Sequence, residues 1–363
     1  MRLTIIQDRL RVGGTERQSL HLAEAAAKAG HTVHLIVFRP GGVLFPANQP
    51  KDYRITVLQP WDTGLSLYAP GLIEAVDASL PELILCMGRT ANCYAGWLQQ
   101  QFRSVPVVST LRTGKVLQPW HRWALARVSG VLVNTSWWAA DLRRKGLAGK
   151  TIGVVPNALL SAPVSQCEGA SLRAEEGLSA ETVVLLQVAG FRRGKRQAEL
   201  IRRLAKWNRK TPQVPWVLWL VGEGPQRTRC ENLAESLRLV EQVRFFGYQA
   251  DPSRFYAAAD LALSVSREDS LPNFLIEAQS AGLPVIAEDF RGVGEAFDPG
   301  VSGVLVPTGG IVDFETALNN LVSDASRRRS MGEAAQRFAQ ERFSPSRQSE
   351  SVLEFLDTVR RMF

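Results

Sequence analysis

Short apolar runs alternate with helix-like segments along most of the chain, and this pattern predicts two parallel β-sheets. The runs of the first half, interpreted as strands, are 3–7, 31–38, 55–58, 82–87, 106–111, 130–134 and 151–155. Those of the second half are 182–189, 215–222, 243–247, 260–265, 284–288 and 303–307. Strands that are apolar throughout and separated by helices are typical of a parallel sheet covered on both faces. The sequence therefore predicts an α/β fold with two doubly wound halves.

Residues 160 to 178, between the two series, are polar and show neither a helical nor a strand period. We interpret this segment as a linker, so that the first domain covers 1–162 and the second covers 163–345. From residue 326 onward the sequence is typical of helix, with one interruption at 344–346.

The composition is that of a water-soluble globular protein, with 45% hydrophobic and 21% charged residues among 363. No apolar run is long enough to span a bilayer, and the N-terminal segment lacks the apolar core of a secretory signal. The four cysteines have no metal-type spacing and suit a reducing compartment. We therefore expect a cytoplasmic protein.

The formal net charge of +8 predicts an anionic partner. The basic residues are dispersed rather than gathered in one tail, and no familiar nucleic-acid-binding motif occurs. We therefore expect phosphorylated substrates or an anionic membrane surface, and no nucleic acid.

A glycine-rich turn follows the first predicted strand of each half. In the first half, Gly13 and Gly14 precede a helix, where free backbone N–H groups favour an anion. In the second half, Arg192, Arg193 and Lys195 follow the strand and could neutralise a diphosphate. The alternatives are an ordinary tight turn and a solvated basic turn. Neither segment is a dinucleotide fingerprint or a Walker loop.

The stretch SREDSLPNFLIEAQSAGLPVI (266–286) places one glutamate inside an apolar helix. We expect Ser270 to cap this helix and Pro272 to lie in its first turn. The residues predicted to pack inward are Leu275, Ile276, Ala278 and Ala281. Glu277 could then accept hydrogen bonds from two ribose hydroxyls, while Asp269 faces a sugar at the other end of one ligand. The alternative places Glu277 on an exposed stripe and makes Asp269 a capping acid.

The segment 115–130 combines tryptophans with arginines. Trp120 and Trp123 alternate with Arg122 and Arg127, a combination that can seat a helix in an anionic bilayer interface. Tryptophans in such a pattern are more often core or cleft residues. The two histidines that flank a strand, His31 and His34, are interpreted as structural.

Several segments together resemble the family 4 glycosyltransferases along nearly the whole chain. They are GGTER (13–17) with the helix LAEAAAKAGH (22–31), VPNA (155–158), the strand-and-lysine segment that ends at Lys195, VGEGP (221–225), FFGYQAD (245–251), YAAADLALSVS (256–266) and DSLPNFLIEAQSAGLPVIA (269–287), of which the last is the most specific. The resemblance implies the GT-B architecture, in which two Rossmann-like domains face each other across a cleft. It also implies an N-terminal acceptor domain, a C-terminal donor domain, and a last helix, 346–363, that crosses back to the first domain.

The resemblance further implies roles for individual residues. Glu277 would hold the nucleotide ribose, Lys195 with Arg192 or Arg193 would grip the diphosphate, and Asp269 would contact the sugar. The backbone that follows Asp269 would complete the donor site through Leu271, Pro272, Asn273, Phe274 and Leu275. Gly14 would line the reaction centre, with Gly13, Thr15, Arg112 and Asn134 as acceptor or cleft candidates.

Three positions depart from the family pattern. Asp269 stands where glutamate is usual and follows Glu268, so that either acid could contact the sugar. Gly190 stands where an arginine is usual, which leaves Arg192 or Arg193 as its substitute. Arg112 stands where a histidine is often found.

The expected activity is transfer of a sugar, with retention of configuration, from a UDP- or GDP-sugar. The acceptor would be a glycan, a lipopolysaccharide or exopolysaccharide, or a lipid-linked glycan. The resemblance implies no cofactor, no metal and no protein nucleophile, and the enzyme could be peripheral on the inner face of the membrane. The departures leave two alternatives, a non-catalytic nucleotide-sugar-binding protein and a sugar-nucleotide epimerase or hydrolase on the same fold.

Overall fold

The computed structural model describes residues 1–11, 13–45, 52–147, 151–161, 165–210 and 214–363, and it contains two parallel β-sheets in these ranges. The chain divides into two units. The first unit consists of Met1–Leu160 together with Pro345–Phe363, and the second unit consists of Ser161–Ser344.

The first unit contains a seven-stranded parallel sheet in the order β3-β2-β1-β4-β5-β6-β7. Its strands are β1 Arg2–Gln7, β2 Thr32–Val37, β3 Arg54–Val57, β4 Leu83–Met87, β5 Val107–Leu111, β6 Gly130–Val133 and β7 Thr151–Val154. Its helices are α1 Gly14–Lys28, α2 Leu72–Asp77, α3 Ala91–Gln101, α4 Pro119–Leu125, α5 Ser136–Arg144 and, from the end of the chain, α13 Pro345–Met362. In the register of the central strands, Ile5 lies opposite Leu35 on one side and Leu85 on the other.

The second unit contains a six-stranded parallel sheet in the order β10-β9-β8-β11-β12-β13. Its strands are β8 Val183–Val188, β9 Trp216–Val221, β10 Val243–Phe246, β11 Leu261–Ser264, β12 Val285–Glu288 and β13 Gly303–Val306. Its helices are α6 Gln166–Glu175, α7 Gln197–Asn208, α8 Arg227–Ser236, α9 Ser253–Ala258, α10 Asn273–Ser280, α11 Ile311–Ser323 and α12 Ala325–Arg342. Two 3₁₀ turns, Arg193–Lys195 and Val293–Ala296, complete it. The predicted α/β fold with two doubly wound parallel sheets is confirmed.

Both sheets are buried on their two faces by apolar side chains. In the first unit, Leu85 and Leu3 belong to the cluster on one face, and Ile84 and Ile6 belong to the cluster on the other. The alternation arises because successive side chains of a strand point to opposite faces. Helices that cover each face explain why the strands are apolar throughout.

Helix α13 packs against the first unit, as the family resemblance implied. Val352, Leu356 and Val359 are buried in the same cluster as the first strands. A Cβ on Gly153 would lie 2.5 Å from the Phe355 ring, so glycine at this position lets the helix approach β7 closely. The end of the chain is therefore part of the first unit.

The two sheets share one strand order. In each, the first strand of the unit lies beside the second on one side and beside the fourth on the other. The connections therefore diverge between β1 and β4, and again between β8 and β11. In open α/β sheets the crevice outside the carboxyl ends of such strands is where ligands bind.

The predicted linker at 160–178 is wrong in part, because residues 166–175 form α6. The Ser165 hydroxyl accepts a hydrogen bond from the backbone N–H of Glu168, Leu172 is buried, and Gly169 packs closely against Ala257 of α9. Charged residues surround the single buried leucine, so the apolar stripe is too narrow to show as a period in the sequence. Helix α11 was likewise not predicted.

Candidate functional site

The loops that follow β8 and β11 lie side by side at the carboxyl edge of the second sheet. The backbone N–H of Arg267 donates to the carbonyl oxygen of Gly194 at 2.8 Å. A Cβ on Gly194 would lie 2.5 Å from the Glu268 carboxylate, so glycine permits this close approach. The structure therefore brings together residues 192–195, which we call the basic turn, and residues 266–269, which we call the acidic loop, although more than 70 residues separate them in the sequence.

Lys195 and Asp269 form a charge-assisted pair within this loop contact. The Lys195 ammonium donates to both carboxylate oxygens of Asp269 at 2.6 Å, and the Ser266 hydroxyl donates to one of them at 2.8 Å. Only 13% of the lysine side chain and 20% of the aspartate side chain are exposed. The alternative interpretation, in which Asp269 caps α10, is therefore wrong.

The protonation of Asp269 follows from these contacts. Burial raises the pKa of the Asp269 carboxyl, but the Lys195 ammonium and the Ser266 hydroxyl lower it by more, so the net pKa lies below its ordinary value. A lowered pKa in the folded state adds stability above the ordinary carboxyl pKa, and this stability is lost as the pH falls through the lowered value. The carboxylate is ionised at neutral pH.

The adjacent acid, Glu268, has a different partner. Its carboxylate lies 3.4 Å from the Arg192 guanidinium, whose side chain is 54% exposed. The side chain of Arg193 is also exposed. The basic turn thus presents one cation held by Asp269 and two in contact with solvent.

Helix α10 begins at Asn273, with Pro272 as its N-cap, so the prediction that Ser270 caps this helix is wrong. Ser270 is 1% exposed and lies before the helix. Proline disfavours a helical conformation in the residue that precedes it, which excludes Leu271 from the helix.

The predicted inward-facing residues of α10 are confirmed. Leu275, Ile276 and Ala278 are at most 1% exposed, and Ala281 is 8% exposed. Leu271 is also buried. Of the predicted donor contacts, Leu271 and Leu275 could therefore bind a ligand only through their backbone groups. Asn273 and Phe274, the first two residues of the helix, are half-buried.

Glu277, one turn into α10, contacts a tyrosine from the preceding helix. The Tyr256 hydroxyl of α9 donates to the Glu277 carboxylate at 2.5 Å, and the Tyr256 ring stacks on Phe274 with 6.2 Å between centroids. Tyr256 is 1% exposed. The interpretation of Glu277 as a member of an exposed stripe is therefore wrong, because the carboxylate is half-buried and held in one orientation.

A buried acid that the sequence analysis did not identify forms hydrogen bonds with the arginines that follow the basic turn. Glu288, at the end of β12, has a fully buried side chain that accepts hydrogen bonds from Arg196 at 2.9 Å, from Arg203, and from the backbone N–H of Gly309 at 2.9 Å. Arg196 directly follows Lys195 and has a φ of 56°, in the left-handed region. The Glu288 carboxylate thus fixes the reversal of the chain between Lys195 and α7. The signal in the sequence was a charge at the end of an apolar strand.

In the first unit, polar side chains meet at the carboxyl edge of the sheet. Arg112 follows β5 and donates to the Asn157 side chain at 3.0 Å and to that of Gln18 at 3.5 Å. Asn134, which follows β6, donates to the same oxygen of Asn157 at 3.5 Å. Of these four residues, which we call the amide cluster, Arg112 and Asn134 were predicted as candidates and the other two were missed.

The glycine turn of the first unit leads into α1. Gly13 precedes the helix and Gly14 is its first residue, followed by Thr15. A Cβ on Gly13 would clash with the carboxylate of Glu16, which folds over this turn. Gln18, one turn further along α1, carries the contact to Arg112.

The tryptophans of α4 are exposed, so the expectation that they are core residues is wrong for both. Trp120 is 53% exposed and Trp123 is 40% exposed, and the Arg127 guanidinium lies 4.2 Å above the Trp123 ring. Within the described ranges, no helix has both the length and the apolar character that crossing a membrane requires. His31 and His34 contact the N-terminal amine and Thr56, which agrees with their structural interpretation.

Comparison with protein families places the chain among the glycosyltransferases. Residues 12–159 match the model described as Glycosyltransferase Family 4, and residues 170–338 match the model described as Glycosyl transferases group 1. The two matches together cover most of both units. The chain belongs to the family 4 glycosyltransferases, and it is a transferase.

Individual relatives agree with this assignment. The chain is 24% identical to N-acetyl-alpha-D-glucosaminyl L-malate synthase of Bacillus anthracis, over 96% of this chain and 93% of the relative. It is 29% identical to the lipopolysaccharide core biosynthesis glycosyltransferase LpsE of Rhizobium meliloti, over 51% of this chain and 52% of the relative.

Solved structures show the same fold. Sucrose-phosphate synthase from Thermosynechococcus elongatus superposes with a TM-score of 0.82 at 21% identity, covering 100% of both chains. The Anabaena protein HepE, solved in complex with UDP-glucose, superposes with a TM-score of 0.77 at 23% identity, covering 98% of this chain and 99% of that one. The fold is therefore GT-B, with two Rossmann-like domains.

Proposed function

We propose that this enzyme moves a sugar from a UDP- or GDP-sugar, with retention of configuration, to a glycan, lipopolysaccharide or exopolysaccharide, or lipid-linked acceptor. The observation that carries the proposal is the contact of Lys195 with Asp269 at the point where the connections diverge between β8 and β11. Glu277 follows on the next helix. The names of LpsE and of the UDP-glucose complex of HepE support a polysaccharide acceptor and a uridine donor.

In the proposed mechanism the second unit stabilises the departing nucleoside diphosphate. The bond from the anomeric carbon to the diphosphate oxygen breaks, and the bond to the acceptor oxygen forms on the same face of the sugar. The leaving diphosphate takes the acceptor proton. Lys195 and an arginine of the basic turn neutralise the charge that develops on the leaving oxygen. This proposal assigns no step to a metal, a cofactor or a protein nucleophile.

Asp269 and Glu277 would position the donor. The Asp269 carboxylate holds the Lys195 ammonium in place and could accept a hydrogen bond from a sugar hydroxyl. Glu277, oriented by Tyr256, would accept hydrogen bonds from the ribose hydroxyls. Asp269 stands at the position that the family resemblance assigns to the sugar, so we propose this acid for the contact, and Glu268 pairs with Arg192.

The experiment that tests this function measures UDP and GDP binding by calorimetry, and hydrolysis and transfer with a panel of nucleotide sugars. We expect Glu277→Ala to weaken binding of the preferred nucleoside diphosphate by about 1–3 kcal/mol, as for a lost charged hydrogen-bond acceptor. Glu175→Ala, which removes an exposed acid from α6 in the same unit, serves as the control and should bind like the wild type.

Other outcomes would support the alternatives. Tight binding without hydrolysis or transfer would indicate a non-catalytic binder, and a changed sugar without an acceptor would indicate an epimerase. Unaltered nucleotide affinity in Glu277→Ala would remove this residue from the donor site.

We propose in addition that α4 docks the enzyme on an anionic membrane surface at the inner face of the membrane. Residues 83–140 contain six arginines and lysines and no acidic residue. Trp120 and Trp123 are exposed within this basic segment. Exposed tryptophan beside arginine favours the interface of a bilayer that contains anionic lipids.

Vesicle flotation tests this docking. The double variant Trp120→Ser/Arg122→Gln should lose most of its binding to vesicles with anionic lipid, since each basic residue near the surface contributes about 1 kcal/mol. The control is Val312→Ser/Arg254→Gln, which removes an exposed apolar side chain and a partly exposed cation from the second unit. Equal flotation of both variants and the wild type would exclude α4 as the docking element.

A further inference from the structure

Arg112 is a half-buried cation that lacks a carboxylate partner in the part of the chain that the structure describes. Its side-chain hydrogen bonds go to the neutral amide oxygens of Asn157 and Gln18. Burial alone lowers the pKa of the Arg112 guanidinium, to about 10, and it remains protonated at neutral pH.

Three other enclosed arginines face an acid, whereas the half-buried Arg328 donates to the backbone carbonyls of Leu321 and Val322. Arg39 pairs with Asp62, Arg173 with Asp260, and Arg203 with Glu288. Removing a cation from water is costly unless an opposite charge meets it. Arg112 instead meets the amide oxygens of two side chains, an arrangement that leaves room for the opposite charge to come from a ligand.

The neutral partners hold the guanidinium rigidly. The Gln18 side chain is fixed by both backbone groups of Ala158, donating to its carbonyl at 2.8 Å and accepting from its N–H at 2.9 Å. Gln18 and Asn134 are 1% exposed and Asn157 is 6% exposed. The three amide side chains of the cluster therefore orient Arg112 and do not neutralise its charge.

The contacts also determine which edge of the guanidinium is free. Both hydrogen bonds use Nη1. Within the described ranges, the Nε and Nη2 groups meet no protein acceptor, and the side chain remains partly open to solvent. The Nε and Nη2 hydrogens form the fork that binds a carboxylate or a phosphate through two parallel hydrogen bonds.

We propose that Arg112 binds a carboxylate or phosphate group carried by one of the substrates. The inference rests on the proposed function in taking that ligand to be a sugar donor or its acceptor. Two sources would supply the same chemistry, namely an acidic acceptor and a donor whose sugar is a uronate. Arg112, Asn134 and Asn157 lie at the carboxyl edge of the first sheet, where ligands bind in such folds.

The first experiment titrates the full chain, saturated with UDP so that the second unit is occupied, with inorganic phosphate and with succinate. Arg112→Gln should weaken binding of at least one probe by about tenfold or more, the loss expected for charged hydrogen bonds. Arg112→Lys, which keeps the charge but not the fork, should give an intermediate loss. Arg103→Gln, which removes an exposed arginine of the same unit, should bind like the wild type.

Thermal unfolding shows whether the Arg112→Gln variant is folded. Because replacing Arg112 leaves no acid unpaired among the described residues, Arg112→Gln should melt at or above the temperature of the wild type. Failure of both probes to bind the wild type, or equal binding by Arg112→Gln, would overturn the proposal. If the wild type bound an anion probe through Arg112 but did not bind UDP, the donor site assigned to the second unit would be refuted and the Arg112 site would stand.

A second experiment identifies the source of the anion by comparing hydrolysis of UDP-glucose and UDP-glucuronate. If the donor carries the group, Arg112→Gln should lower kcat/KM for UDP-glucuronate by about tenfold relative to UDP-glucose. An unchanged ratio in this variant assigns the anionic group to the acceptor.

Discussion

Replacing Lys195 with methionine should lower kcat/KM for the nucleotide sugar by about a hundredfold or more. The ammonium is the most enclosed cation of the basic turn, and groups that stabilise charge developing in a transition state are typically worth this much. The same change leaves the Asp269 carboxylate without its counter-ion, so the variant should also lose stability. Steady-state kinetics with the preferred donor and urea unfolding measure the two effects.

A double variant separates catalysis from stability. Lys195→Met/Asp269→Asn removes both charges, and it should recover much of the lost stability without recovering activity. Lys210→Met serves as the control, since it removes a lysine of the same unit that pairs with Glu315 and is 53% exposed. If the double variant recovered activity together with stability, Lys195 would contribute to folding stability and not to catalysis.

Replacing Glu288 with glutamine should lower the free energy of unfolding by about 3–5 kcal/mol, the cost of breaking a buried ion pair from one side. The Glu288 side chain is fully buried, and its partner Arg203 is 3% exposed, so water cannot replace the lost charge. The variant should also raise KM for the donor, because Arg196 would no longer hold the chain reversal that follows Lys195. Urea unfolding and donor kinetics test both expectations.

The matched change is Glu315→Gln, which breaks pairs with two lysines that are each more than half exposed. Pairs of this kind contribute about 1 kcal/mol or less. A comparable loss in both variants, with an unchanged donor KM in Glu288→Gln, would contradict a supporting role for Glu288.

The strands could be predicted because their signal is local. Each apolar run of a buried parallel strand shows in a few consecutive residues, and so does the inward face of α10. Helix α6 could not be predicted, since Leu172 alone carries the buried stripe among charged neighbours. Burial of one leucine against α9 depends on tertiary packing, which cannot be inferred from a short stretch of sequence.

The sequence showed part of the candidate site. The motifs suggested roles for Lys195, Asp269 and Glu277. They suggested none for Glu288, or for Tyr256, although Tyr256 begins a segment that resembles the family. Tyr256 acts on a carboxylate 21 residues away, and Glu288 acts on an arginine 92 residues away. Such partners become neighbours only through strand order, which hydrophobic periodicity does not encode.

The sequence by itself determined that the chain forms two parallel sheets, that it belongs with the glycosyltransferases, and which cations follow the first strand of the second sheet. Only the tertiary structure decided which acid meets which cation, that Trp120 is more than half exposed, and that Arg112 meets the side-chain amides of Asn157 and Gln18. The physical reason is that burial of apolar residues is specified over short stretches of chain. The electrostatic environment of a side chain, in contrast, is the sum of groups brought from many stretches by the fold.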